Sequence, residues 1–273
     1  MYEEPYRWVE AVGNRRHYLD EQFRQGSPVV ALSYADGLLL LTVSRGTPKL
    51  YEIYDRIGLG GMGHPADLEK LRFGLLEMAH LEGFNRSPSD VTAARLMKYG
   101  LAPLIKQAFE EIFKAPHIVK ILLAELGTRA ERDTFLTVNY DGTFEETSRC
   151  AALAAFPDAT RAMVAVMTKG LGASSVPLRE ALRLALQAWA LGSLLQRAGD
   201  QEDVDKPSGG AATTKGQEAA QPDEAALSGH LRETLSERTV ECAVLGRSAP
   251  GPSKYRSIKA DELRDLLPDG LTG

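Results

Sequence analysis

Cysteine is scarce in this chain. Cys150 and Cys242 stand far apart, each inside an apolar, strand-like run, which is the pattern of reduced, packed thiols and not of a disulfide framework or a metal pair. Histidine is thin as well: His17, His64, His80, His117 and His230 nowhere fall at ligand spacing, so neither a metal site nor a cofactor is expected. No apolar run approaches the ~20 residues that cross a bilayer. The opening Met1-Tyr2-Glu3-Glu4-Pro5 is acidic where a signal peptide needs positive charge, so the expected location is the cytoplasm, with no membrane partner. Positive charge is also in short supply. The net charge is −5 and the basic residues are scattered among acidic ones, which excludes the basic stripe that nucleic acid requires.

What is present is enough for a full core, with 273 residues of which 44% are hydrophobic and 25% charged. Residues 5 to 24 read as a helix, with Pro5 at a first-turn position and Tyr6, Val9, Val12, Leu19 and Phe23 on one narrow face. So narrow a face predicts packing against something beyond the helix's own segment. The period then changes to two. Residues 28 to 34 and 38 to 44 are strands around Ala35-Asp36-Gly37, followed by a second pair at 49 to 54 and 56 to 62. Two helices follow, one over 66 to 82 ending at Gly83, the other opened by Ser87-Pro88-Ser89-Asp90 and continued through Ile112. Strands return at 118 to 126, 134 to 140 and 143 to 150, then helices at 159 to 169 and 177 to 197. Residues 199 to 226 hold no aromatic residue and many polar ones, and they are expected to form a disordered insert. Strands at 239 to 245 and 254 to 258 and a short helix ended by Pro268 complete the chain. The order implies antiparallel sheets stacked between helical layers.

Three features carry possible chemistry. Gly58-Leu59-Gly60-Gly61-Met62-Gly63 has the spacing of a dinucleotide fingerprint, but a second long helix follows where a parallel strand with an acidic end is needed. Glycines there let a strand lie close beneath a helix or another backbone. Gly26-Ser27 stands at the head of the first strand, where an N-terminal-nucleophile hydrolase would cleave itself to expose a hydroxyl and an α-amine. Its helpers are missing: Leu41-Thr42-Val43-Ser44 offers no carboxylate, and Lys49 alone is not a constellation. Lys49 by itself is most simply a solvated surface lysine.

Taken together, Arg24 to Leu32, Lys49 to Gly63 with Tyr54-Asp55-Arg56-Ile57-Gly58, and Val240 to Leu245 resemble, in order, the bacterial proteasome core-particle α-subunit. The resemblance implies a four-layer αββα sandwich of two antiparallel sheets, α+β in class. A retained leader helix occupies residues 1 to 25 and the sandwich residues 26 to 273. It also implies a non-catalytic subunit of a threonine-type endopeptidase complex. That subunit forms a homo-oligomeric ring, a heptamer, which templates β-subunits, gates the entry of unfolded protein and docks a regulatory AAA ATPase ring. Ser27 takes the place of the catalytic threonine of a β-subunit and Val43 that of its orienting aspartate. Lys49 takes the place of the pocket lysine that receives an activator's C-terminal carboxylate, and Gly63 that of a glycine lining the pocket. The gate-forming segment of archaeal and eukaryotic relatives has no counterpart in Met1 to Pro5. The rival readings are a self-processing hydrolase with Ser27 as nucleophile, and a ring-forming scaffold unrelated to proteolysis.

Overall fold

The computed structural model describes residues 5–111, 113–173, 175–204 and 223–267, so Met1 to Glu4, Ile112 and Pro268 fall outside the described residues. Helix α1 (Pro5–Phe23) leads into strands β1 (Val29–Tyr34), β2 (Gly37–Ser44), β3 (Leu50–Tyr54) and β4 (Ile57–Gly63). Helix α2 (Pro65–Asn85) and the helical run α3 (Ala93–Arg95) and α4 (Ala102–Glu110) follow. Strands β5 (Val119–Glu125), β6 (Thr134–Val138), β7 (Phe144–Thr147) and β8 (Cys150–Leu153) come next, then helices α5 (Pro157–Leu171), α6 (Leu178–Val204) and α7 (Glu224–Leu235). Strands β9 (Thr239–Gly246) and β10 (Tyr255–Ser257) and helix α8 (Ala260–Leu266) close the order.

The strands form two antiparallel five-stranded sheets, β10-β9-β2-β1-β8 and β3-β4-β5-β6-β7. Period-two alternation assigns each side chain to a layer. From β1 and β2, Val30, Leu32, Leu39, Leu41 and Val43 pack under α5 and α6, while Val29, Ala31, Leu38 and Leu40 face the other sheet with Leu122, Ala124 and Phe135. Val119, Ile121 and Leu123 of β5 turn the opposite way, onto Leu68, Leu71 and Leu75 of α2. Both faces of each central strand are therefore covered, which is why β2 is buried at every position. The result is the expected four-layer αββα sandwich. The glycine-rich β4 serves close approach: a Cβ on Gly61 would lie 2.3 Å from Leu68 Cδ1, and one on Gly60 2.7 Å from Val29 Cγ1. No dinucleotide turn forms there.

The C-terminal half of α1 closes one end of the sandwich. Leu19 and Phe23 are fully buried in the inter-sheet core, Phe23 stacks on Tyr140 at 5.8 Å, and the Tyr140 hydroxyl donates to Asp20 Oδ1 at 2.7 Å. Beneath it, Lys120 Nζ donates to the carbonyls of Ala154 and Ala155, each at 2.9 Å, and lies 4.8 Å from the Phe23 ring. Gln196 of α6 joins these parts. Its Nε2 donates to Gly26 O at 2.8 Å and its Oε1 accepts from Ala155 N at 3.1 Å.

Five local features differ from the sequence expectation. Ser87 caps only a 3₁₀ turn, Pro88–Asp90; the helix proper is capped by Thr92, whose Oγ1 accepts from Arg95 N at 3.2 Å. The helix then widens to a π segment, Leu96–Leu101, before α4, because Pro103 has no N–H for the carbonyl one turn back. Gly83 does not end α2. A Cβ there would meet the Tyr54 hydroxyl at 2.3 Å, so the glycine makes room for that ring, and Leu81 faces solvent. The strand expected over 143 to 150 is two strands in different sheets, because Arg149, at φ 72, turns the chain from β7 across to β8. Finally, α6 runs through Val204 and α7, unanticipated, opens at Glu224, so helix occupies both margins of the expected 199 to 226 insert; residues 205 to 222 lie outside the described residues. Both cysteines are free and buried. Among the described residues no helix is long and apolar enough to cross a membrane.

Candidate functional site: a cationic cavity at the sheet ends

Antiparallel pairing brings the site together. β2 ends at Ser44 opposite Thr239 of β9, which places Arg45 and Arg238, the next residues on each chain, side by side. The chain returns through Thr47 to Lys49 at the head of β3. There Glu241 of β9 fixes it: Lys49 N donates to both carboxylate oxygens at 3.0 Å, and Leu50 N to Oε1 at 2.8 Å. A carboxylate of one sheet thus holds the first turn of backbone of the other.

The opposite wall is the β4–α2 junction. Gly63, at φ +132, would carry a Cβ only 2.0 Å from Ile118 O, so the backbone can pass here only as glycine. His64 N donates to that same carbonyl at 2.8 Å, and His64 Nδ1 accepts from Ala66 N at 3.3 Å as the cap of α2. Nδ1 is therefore the acceptor and Nε2 carries the proton.

Between these walls lies a cavity of about 390 Å³, lined among others by Ser27, Arg45, Lys49, Gly63, His64 and Arg238. The structure brings Lys49, Gly63 and Ser27, singled out separately in sequence, into this one space. Among the described residues, no Asp or Glu stands in the lining. Burial holds the Lys49 ammonium below its ordinary range; Glu241 pulls it back up and Arg238 pushes it further down. Burial raises Glu241, against the N–H groups of Leu50 and Lys49. Such an arrangement can receive an anion by charge-assisted hydrogen bonds.

Ser27 has a different occupation. It is buried, its Oγ accepts from Trp189 Nε1 at 3.1 Å, and it lies 3.4 Å from Thr42 Oγ1, which itself donates to Pro28 O at 2.7 Å. Among the described residues, the hydrogen-bond partners of this hydroxyl are Trp189 and Thr42, neither of them a base. A second hydroxyl, Ser193 Oγ, lies 2.9 Å from His230 Nε2. Arg197 Nη1 stands 3.3 Å from His230 Nδ1, and a guanidinium only donates, so Nδ1 accepts and Nε2–H points at Ser193. That is the reverse of what a general base needs.

The chain is similar over almost its whole length to the protein named proteasome subunit alpha from Actinosynnema mirum, 30% identical over 258 residues, which cover 94% of this chain and 84% of that one. The chain belongs to the proteasome α-subunit family. Proteins of the same name from Streptomyces griseus subsp. griseus, 28% identical over 270 residues (97% of this chain, 84% of that one), and from Streptosporangium roseum, 33% identical over 180 residues (64% and 66%), agree with this. No family model matches the chain. Within this proteasome α-type chain, sequence reasoning singled out Lys49 and Gly63 but missed Glu241, Arg238 and Arg45. Glu241 had a signal, a lone acid inside the apolar run Thr239 to Gly246. Arg238 had none, since its place depends on a pairing register.

Proposed function

We propose that the chain is a non-catalytic α-type subunit of a proteasome core particle. It forms the outer ring, templates the assembly of β-subunits, restricts entry to unfolded polypeptide and docks a regulatory AAA ATPase through the Lys49–Gly63 cavity. The observation that carries the docking role is the cavity itself: it is lined by the half-buried Lys49 together with Arg45 and Arg238, and by no Asp or Glu among the described residues. A free C-terminal carboxylate suits it, and one such charge-assisted bond contributes about 1.5–3 kcal/mol. Several tails presented together would add avidity through effective concentration. Catalytic silence is supported by the engaged Ser27 hydroxyl and by Val43 standing where an acid would be required.

The test is Lys49→Ala in the complex reconstituted with a β-subunit. Ring assembly is expected to persist, while stimulation by an ATPase with a free C-terminus falls. Stimulation equal to wild type would remove the docking assignment. Failure to co-assemble with any β-subunit would instead favour a scaffold outside proteolysis.

A further inference from the structure

The charge balance of the cavity exceeds what one carboxylate answers. Lys49, Arg238 and Arg45 line it, and among the described residues no acidic side chain does. Glu241, on the strand beside it, has both oxygens committed to the backbone N–H groups of Lys49 and Leu50, so it serves as a structural clamp before it serves as a counter-ion. The cations also press on one another: Arg238 depresses Lys49, and Arg45 depresses Arg238. A single terminal carboxylate placed on Lys49 would leave Arg238 with the exposed Glu237 as its acidic neighbour, and with Arg45 and Lys49 beside it in a partly desolvated space, where like charges are poorly screened. Lys49 and Arg238 line one cavity of about 390 Å³, and Arg238 lies near enough to bear on the Lys49 charge. Two charges one or two residues apart on an extended tail are separated by about 3.5–7 Å along the backbone, which a cavity of that volume holds.

We infer that the Lys49 cavity takes a chain terminus bearing two negative charges, the terminal carboxylate on Lys49 and an acidic side chain from the last two residues on Arg238. The inference deepens the proposed docking role and rests on it. It names the chemistry of the partner: an acidic C-terminal tail. Arg238 is then the residue that sets specificity among tails, because a guanidinium offers a bidentate fork to a carboxylate.

Fluorescein-labelled heptapeptides ending in Glu-Leu, Leu-Glu or Ala-Leu, as free acids, test this by anisotropy on the full-length chain, with an Ala-Leu amide as control. Both acidic free acids are expected to bind about tenfold more tightly than the Ala-Leu acid, equivalent to ~1.4 kcal/mol. Arg238→Gln is expected to abolish that advantage and Arg238→Lys to restore part of it, with melting curves verifying that both variants fold. Equal affinity of acidic and neutral free acids, with binding still dependent on Lys49, overturns the inference and leaves the docking role standing. An amide that binds as well as its acid, or no binding by any peptide at millimolar concentration, overturns the docking role and the inference together.

Discussion

At the scale of single residues, two buried polar groups define what the molecule does with its chemistry. Ser27 Oγ satisfies the indole N–H of Trp189, so Ser27→Ala leaves a buried donor unpaired. The expected loss is about 1–3 kcal/mol of stability, read by denaturant titration, with peptide hydrolysis by the assembled complex unchanged. Intact mass gives the complementary reading: a mature chain that begins at Ser27 would restore the self-processing hydrolase. Lys120 is the other group. Burial lowers its ammonium to about 8, against the pull of Asp20 and Asp141. An amine whose pKa falls on folding favours the neutral form in the native state. Stability from this group is therefore fully present above the ordinary lysine value and is lost as pH falls through about 8. Compared with Lys120→Met, the wild type should gain up to about 3 kcal/mol between pH 7.5 and 10.5, visible as a difference in the slope of Tm against pH. Parallel slopes would show that Lys120 does not titrate there.

At the scale of elements, sequence legibility followed how local the cause was. Strands β1 to β4 were readable because alternation and Asp36-Gly37 act within a few residues. The π segment ahead of α4 was not, although Pro103 lies in plain view, because the sequence does not say whether a helix will bend, stop or widen at a proline. The crossing at Arg149 was hidden for a deeper reason. An arginine in the left-handed region is held there by two sheets claiming the residues on either side, and no local preference announces it. Site residues divide likewise: Lys49 and Gly63 were found through ordered resemblance, whereas Arg238 becomes visible only once β9 pairs with β2. Two predictions belong here. Gly61→Ala should cost about 1–3 kcal/mol by driving a methyl into Leu68, measured as a lowered denaturation midpoint. Tyr140→Phe removes the bond to Asp20; faster amide exchange confined to the C-terminal turns of α1 is expected, with the sheets unaffected. Loss of protection throughout the sheets would mean that α1 and the sandwich open as one unit.

At the scale of the whole molecule, an acidic chain carries a cationic hollow. The net charge is −5, yet among the described residues the lining of the cavity holds lysine and arginine without a carboxylate. On the proposed docking role, a partner's acidic tail would be repelled by much of the surface and attracted at one place, which serves selectivity more than strength. Activator stimulation should fall as ionic strength rises from 0.05 to 0.5 M while ring assembly holds, since salt screens the exposed side of the cavity more than the apolar core. Stimulation that ignores salt would point to an apolar contact in place of the ionic one.

The side-chain amide of Gln196 adds a mechanical constraint. It grips the chain just past α1 and the backbone at Ala155, beyond the end of β8, in the same grasp. The outer helix that bears it is thereby geared to the molecule's front edge. Any force that tilts that helix must drag the exit of α1 along or tear the amide loose.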